Sequence, residues 1–180
     1  MVSRQQQHAA GLEKTANLQA ILFAESFNNR FKPMTCERPK CLFPLANIPI
    51  LLYSLEFLAL NGVTQVILVS SKENRVFKPV IETIKAAHSN KLSRIQITNF
   101  KLDKATNLAS ALREINDSQV KLKEDFIIMQ GDVITNARLQ DAVKMHMQAK
   151  KKDKGDEGAQ VIMTKIFAQI PYSNPVRDLS

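Results

Sequence analysis

The sequence predicts an α/β domain built on a mainly parallel sheet with helices on both faces, and three observations carry that reading. Short apolar, β-branched runs alternate with stretches of helical periodicity five times over, the pattern of βαβ units. Each apolar run is too short to be a helix and is closed by polar or turn-forming residues. Crossovers between parallel strands are right-handed, which sends the intervening helices onto the faces of one sheet.

The elements follow in order. Residues 1–17 (MVSRQQQHAAGLEKTAN) read as a polar, flexible leader, and Leu18–Ala24 (LQAILFA) as the first buried strand. Pro49 followed by ILLYSLEFLAL and Asn61-Gly62 predicts a helix with proline at its start and an Asn-Gly stop; Leu51, Leu52, Leu55, Leu58 and Ala59 recur on one side. Val66–Val69 is the second strand. Val76, Phe77, Val80, Ile81 and Ile84 form the stripe of a second helix, in which Pro79 must lie in the first turn or bend the axis. Ile95–Thr98 is a weaker third strand. Leu108, Ala109, Leu112 and Ile115 mark a helix with Thr106 as its expected N-cap. Phe126–Met129 is the fourth strand, stopped by Gly131-Asp132. Leu139, Ala142, Val143 and His146 outline a further helix, Lys150–Gly158 a flexible connection, and Val161–Phe167 a fifth strand. In such sheets ligands approach the carboxyl ends of the strands, here the loops starting at Ala24, Ser70, Asn99 and Gln130.

Composition narrows the class. The 180 residues suit one domain, and 44% hydrophobic with 23% charged residues, 5 Gly and 7 Pro, is ordinary for a folded protein. No apolar run reaches the roughly 18 residues of a membrane span, and the N-terminal residues lack the apolar core of a secretory signal, so a cytoplasmic location is expected. Cys36 and Cys41 fit a reducing compartment, and their spacing has no second pair to complete a zinc tetrahedron. The net charge of +8 favours encounter with acidic surfaces or nucleic acid. Lys150, Lys151, Lys152 and Lys154 are its densest cluster, but Asp153, Asp156 and Glu157 dilute it, which argues for a solvated helix end and against direct nucleic-acid binding. His8, His88 and His146 stand in no motif with a Ser or Cys nucleophile.

The stretch Leu22–Pro44, LFAESFNNRFKPMTCERPKCLFP, resembles the signature of the sugar-phosphate nucleotidyltransferases, L-A-G-G-x-G-T-R-L-x-P followed by P-K-x-L-x-P. Pro39, Lys40, Leu42 and Pro44 occupy the second half without a gap, and Arg30 and Pro33 fall on the Arg and last Pro of the first. Gly131-Asp132 matches the strand end where that family carries a magnesium-binding Asp. The resemblance implies a Rossmann-like nucleotidyltransferase fold, incomplete at the C-terminus of this chain, with 18–180 as the front of one nucleotidyltransferase-like domain.

The departures carry as much meaning. Glu25, Ser26 and Asn28 replace the three glycines, and Asn29 the threonine. Glycine there lets backbone approach a triphosphate and adopt positive φ. Side chains crowd that cradle, and two like charges about 4 Å apart at an effective dielectric of about 20 repel by roughly 4 kcal/mol, roughly a thousandfold in affinity. Arg30, Lys40 and Asp132 then read as the remnant of a pocket, with Asp132 retained for its Gly-Asp turn. No cofactor and no metal are expected.

More narrowly, LQAILFAESFNNRFKP, PLANIPILLYSLEFL, FIIMQGDVITN and MTKIF resemble the epsilon-subunit family of factor 2B, the guanine-nucleotide exchange factor for translation initiation factor 2, over roughly residues 18 to 170. That family shares the A-[DE]-S-F loop and the following Arg-Phe pair, here Arg30-Phe31. The resemblance implies a non-catalytic scaffold and docking domain in translation initiation. Its implied partners are the other factor 2B subunits, gamma above all, and the GTPase initiation factor 2, with exchange activity carried by a C-terminal domain outside these residues. The alternative is a divergent sugar-phosphate nucleotidyltransferase making a nucleotide-sugar.

Overall fold

β1 (Leu18–Phe23) is buried along its whole length, the signature of a strand covered on both faces and paired on both edges. The computed structural model describes residues 18–24, 27, 31–71, 74–87, 92, 94–123, 125–153 and 161–167. They fall in two compact units, Met1–Asn136 and Ala137–Ser180.

In the first unit, β1 is followed by a four-residue helix α1 (Met34–Glu37), a 3-10 turn at Lys40–Leu42 and a small hairpin of β2 (Pro44–Leu45) and β3 (Ile48–Pro49). Then come α2 (Ile50–Leu60), β4 (Val63–Ser70), α3 (Asn74–Ala87), β5 (Gln96–Lys101), α4 (Leu108–Asn116) and β6 (Phe126–Gln130). The sheet has the order β5-β4-β1-β6, and every pairing is parallel. From β1 the chain steps through α2 to β4 and through α3 to β5 in one direction, then returns through α4 to β6 beyond β1. Right-handed crossovers therefore put α2 and α3 on one face and α4 on the other. Packing agrees: Ala111 and Ile115 of α4 close a core cluster with Ile21, Phe23, Ile67 and Val69. Gln19 is the polar exception inside β1. Its amide donates to the Lys121 carbonyl at 3.2 Å and its oxygen accepts from the Lys123 N–H at 2.9 Å, tying down the segment that leads into β6.

In the first unit most predicted elements stand where expected, with four differences in detail. The hairpin between β2 and β3 was not foreseen; its two central residues, Ala46 (φ 50) and Asn47 (φ 64), are both left-handed, as a two-residue hairpin turn demands. The N-cap of α4 is Asn107, not Thr106: Asn107 Oδ1 accepts from Ser110 N at 2.8 Å, and Ser110 Oγ accepts from Asn107 N at 3.1 Å. Pro79 lies in the second turn of α3, on its exposed side, because the helix begins at Asn74. β5 continues to Lys101, so the loop expected from Asn99 starts later.

In the second unit, α5 (Leu139–Asp153) takes up the first part of the segment expected to be flexible from Lys150 to Gly158. The fifth strand expected at Val161–Phe167 is not formed. A strand needs a neighbour for its ladder, and the other described element of that unit is a helix. Ile162 and Phe167 are instead 86% and 83% exposed. Residues 1–17 lie outside the described residues.

Candidate functional site

The strand order reverses beside β1, so the crevice outside the carboxyl ends of β1 and β6 is where an open α/β sheet receives a ligand. Backbone hydrogen bonds prolong the ladders one step past the strands: Ala24 N–H donates to the Val69 carbonyl at 2.8 Å and Gly131 N–H to the Phe23 carbonyl at 2.7 Å. Gly131 is needed because the chains are so close. A β-carbon there would stand 3.0 Å from the Phe23 carbonyl oxygen and 3.3 Å from Cys41 Cβ.

The P-K-x-L-x-P stretch and Gly131-Asp132 meet at this crevice. Lys40 Nζ lies 2.9 Å from Asp132 Oδ2, with both side chains mostly sheltered from solvent at 23% and 14% exposure. The same ammonium sits 4.6 Å above the centre of the Phe31 ring, which packs edge-on against Phe43 at 6.4 Å. The 3-10 turn that carries Lys40 is held from below, where the Cys41 thiol donates to the Ala24 carbonyl at 3.3 Å. The segment carrying Asp132 is held by α2: the Ser54 hydroxyl lies 3.1 Å from the Val133 carbonyl and 3.3 Å from the Gly131 carbonyl, so its one proton serves either.

Of the residues named from sequence, Lys40 and Asp132 are thus brought together. Glu25, Ser26, Asn28, Asn29 and Arg30 lie outside the described residues. Phe27, in the middle of that loop, is described; its ring approaches Phe23 at 6.2 Å and packs onto the core under α4. Three contributors escaped the sequence reading. Phe31 was visible only as half of an Arg-Phe pair. Ser54 is a fully buried hydroxyl in an otherwise apolar helix stripe, an anomaly that could have marked it. Cys41, from sequence only a cysteine without partners for a zinc site, is a buried side chain with a thiol hydrogen bond. Cys36 is exposed, and His146, on α5, approaches Thr164 Oγ1 at 2.9 Å. Elsewhere, an apolar depression of about 340 Å³ between α2 and α3, lined by residues such as Pro49, Leu52, Pro79 and Thr83, offers no ionisable group.

What the arrangement can do chemically is limited but specific. Asp132 is a carboxylate at the mouth of a switch-point crevice, and Lys40 is the cation that neutralises it. A family model for nucleotidyl transferases matches residues 19–165. The chain belongs to the nucleotidyl transferase family. Within it, this nucleotidyl transferase chain is similar to translation initiation factor eIF2B subunit epsilon of Dictyostelium discoideum, 34% identical over 160 residues, 89% of this chain and 21% of that protein. The same subunit of Schizosaccharomyces pombe is 35% identical over 159 residues, 88% of this chain and 22% of that one. The mannose-1-phosphate guanylyltransferase catalytic subunit beta of Danio rerio is 30% identical over 158 residues, covering 86% of this chain and 40% of its own length. The chain thus spans about a fifth of the length of the two epsilon subunits. A crystal structure of UDP-glucose pyrophosphorylase with UDP-glucose superposes with a TM-score of 0.57 at 16% identity, over 73% of this chain and 53% of that one, a likeness of fold.

Proposed function

We propose that the chain is the nucleotidyl transferase-like domain, residues 18–180, of an epsilon-type subunit of the guanine-nucleotide exchange factor for initiation factor 2. It serves translation initiation as a scaffold and docking domain and performs no covalent chemistry. The observation that carries this reading is the 34–35% identity to two epsilon subunits over nearly nine-tenths of the chain. The site supports it. The carboxylate that a magnesium ion would use is engaged by Lys40. Glu25, Ser26 and Asn28 stand where glycines would cradle a triphosphate, leaving Arg30 as a remnant and Asn29 without a role. The partners under this reading are the other factor 2B subunits, with gamma foremost, and the GTPase initiation factor 2, in the cytosol. No described helix is long and apolar enough to cross a membrane.

A second reading, a divergent sugar-phosphate nucleotidyltransferase, is favoured by the intact P-K-x-L-x-P stretch and by the 30% identity to a guanylyltransferase. Calorimetry with GTP, ATP and UTP in magnesium separates the two, alongside pull-down by the gamma subunit and by initiation factor 2. The scaffold reading expects capture by the protein partners and no nucleotide heat. Micromolar nucleotide binding that vanishes in Asp132→Ala would replace it with the enzymatic one.

A further inference from the structure

Asn61-Gly62 ends α2, and the turn asks for both residues. Gly62 has φ 84, a left-handed conformation that glycine adopts without strain, although a β-carbon there would meet nothing within 4 Å. Asn61 closes the helix with its side chain: the amide Nδ2 donates to the Phe57 carbonyl at 2.8 Å, beside the backbone N–H of Asn61 at 3.2 Å. The fold therefore selects a dipeptide in which backbone attack on the asparagine side chain is least hindered, since glycine has no β-carbon beside its nitrogen. Both residues are half-buried, so water reaches them.

The attack proceeds through a succinimide. Solvent hydroxide removes the Gly62 amide proton, and the nitrogen bonds to Asn61 Cγ. The Cγ–Nδ2 bond then breaks to release ammonia, which takes its extra proton from water. Water opens the ring and leaves aspartate or isoaspartate at position 61.

In the folded chain three features hold this back. The N–H of the attacking nitrogen is engaged by the Ala59 carbonyl at 3.0 Å, and the leaving group is tied to Phe57. Ring closure must also bring the Gly62 nitrogen round to eclipse Asn61 Cβ, a rotation of about 130° about the Cα–C bond from the observed ψ of 10°. Leu58, fully buried, and Val63, 2% exposed at the start of β4, anchor the chain on either side, so that rotation drags one of them from the core.

We propose that Asn61-Gly62 is a latent modification site that the folded helix end holds shut. It converts only when the junction between α2 and β4 opens, and conversion then opposes closing. Aspartate replaces a donor by a carboxylate facing the Phe57 carbonyl at the negative end of the helix, and isoaspartate lengthens the backbone between two buried anchors.

Peptide mapping by mass spectrometry tests this on the full chain, aged at neutral pH with and without denaturing urea. Conversion at position 61 should be at least about tenfold slower in the folded chain, because the junction must first open. Leu58→Ala, which loosens one anchor, should speed conversion in buffer, and urea just below the parent's unfolding transition should do the same without any substitution. Asn61→Asp, which mimics one product, should melt a few degrees below the parent. A folded chain that converts as fast as the unfolded one would overturn the proposal. So would a rate indifferent to both Leu58→Ala and low urea, or an Asn61→Asp chain that melts with the parent. None of these outcomes bears on nucleotide or partner binding at the Lys40–Asp132 crevice.

Discussion

Lys40 and Asp132 come from positions 92 apart in the sequence; Asp132 follows the carboxyl end of β6, and the 3-10 turn carrying Lys40 is tied through Cys41 to the carboxyl end of the neighbouring parallel strand β1. Their partial shelter should make the pair worth more than a fully exposed one. A double-mutant cycle with Lys40→Met and Asp132→Asn, read by urea unfolding, should give a coupling of about 1 kcal/mol. A coupling indistinguishable from zero would mean that the pair is held in place by its surroundings and contributes nothing itself. Gly131 makes the sharper demand. Gly131→Ala pushes a methyl group against the Phe23 carbonyl oxygen and Cys41 Cβ. Backbone in the middle of a sheet cannot step aside, so the change should cost about 1–3 kcal/mol and displace Asp132. Thermal melting unchanged in that variant would show that the crevice is looser than its distances suggest.

At the scale of elements, the ends of α4 are the most explicit. Asn107 and Ser110 cap it reciprocally, so Asn107→Ala should lower stability by about 1 kcal/mol, while Thr106→Ala should leave it nearly unchanged. Between β5 and α4 the Glu114 carboxylate gathers the backbone N–H groups of Asp103, at 2.5 Å, and of Lys104 and Ala105. These bonds, the one from Asp103 foremost, with the Lys104 charge adding to them, hold its carboxyl below the ordinary glutamate value of 4.5 against the opposing effect of burial. A lowered folded pKa adds stability that is complete above the unfolded value and lost as pH falls through the folded one. The stability gap between the parent chain and Glu114→Gln should therefore be constant near neutrality and close on acidification below about 4.5. A gap that persists to the acid limit would assign the effect to packing and not to charge.

For the whole molecule, the sheet is the organising layer, and burial is greatest at its centre. All six residues of β1 are buried, as are six of the eight in β4, while β5 and β6 hold only half-buried and exposed positions. Hydrogen exchange should follow that gradient, with the slowest amides in β1 and β4 and the fastest, among the described residues, along 161–167. Slow exchange at 161–167 would show that the predicted fifth strand does find a partner in solution.

How much of this was legible depends on whether a feature is local. Strand and helix identities came through because an apolar run of LQAILF or a stripe of Phe77, Ile81 and Ile84 encodes its own burial, and the family resemblance came through because P-K-x-L-x-P and Gly-Asp are contiguous words. The cap of α4 was misjudged by one residue, since Thr106 and Asn107 are both good caps and only the reach of Ser110 chooses between them. The hairpin at Ala46-Asn47 lacked the glycine that usually announces such a turn. Val161–Phe167 shows the opposite failure: its apolar, partly β-branched residues suit a strand, but a strand also needs an edge to join, and no local pattern states whether one is present. By itself the sequence determined the order and kind of most elements, the parallel fold class, and Lys40 and Asp132 as residues of interest. Only the tertiary structure decided that Lys40 meets Asp132 over the Phe31 ring and that Ser54 and Cys41 support them, because each of these is a meeting of segments far apart in the chain and depends on the order in which the strands lie.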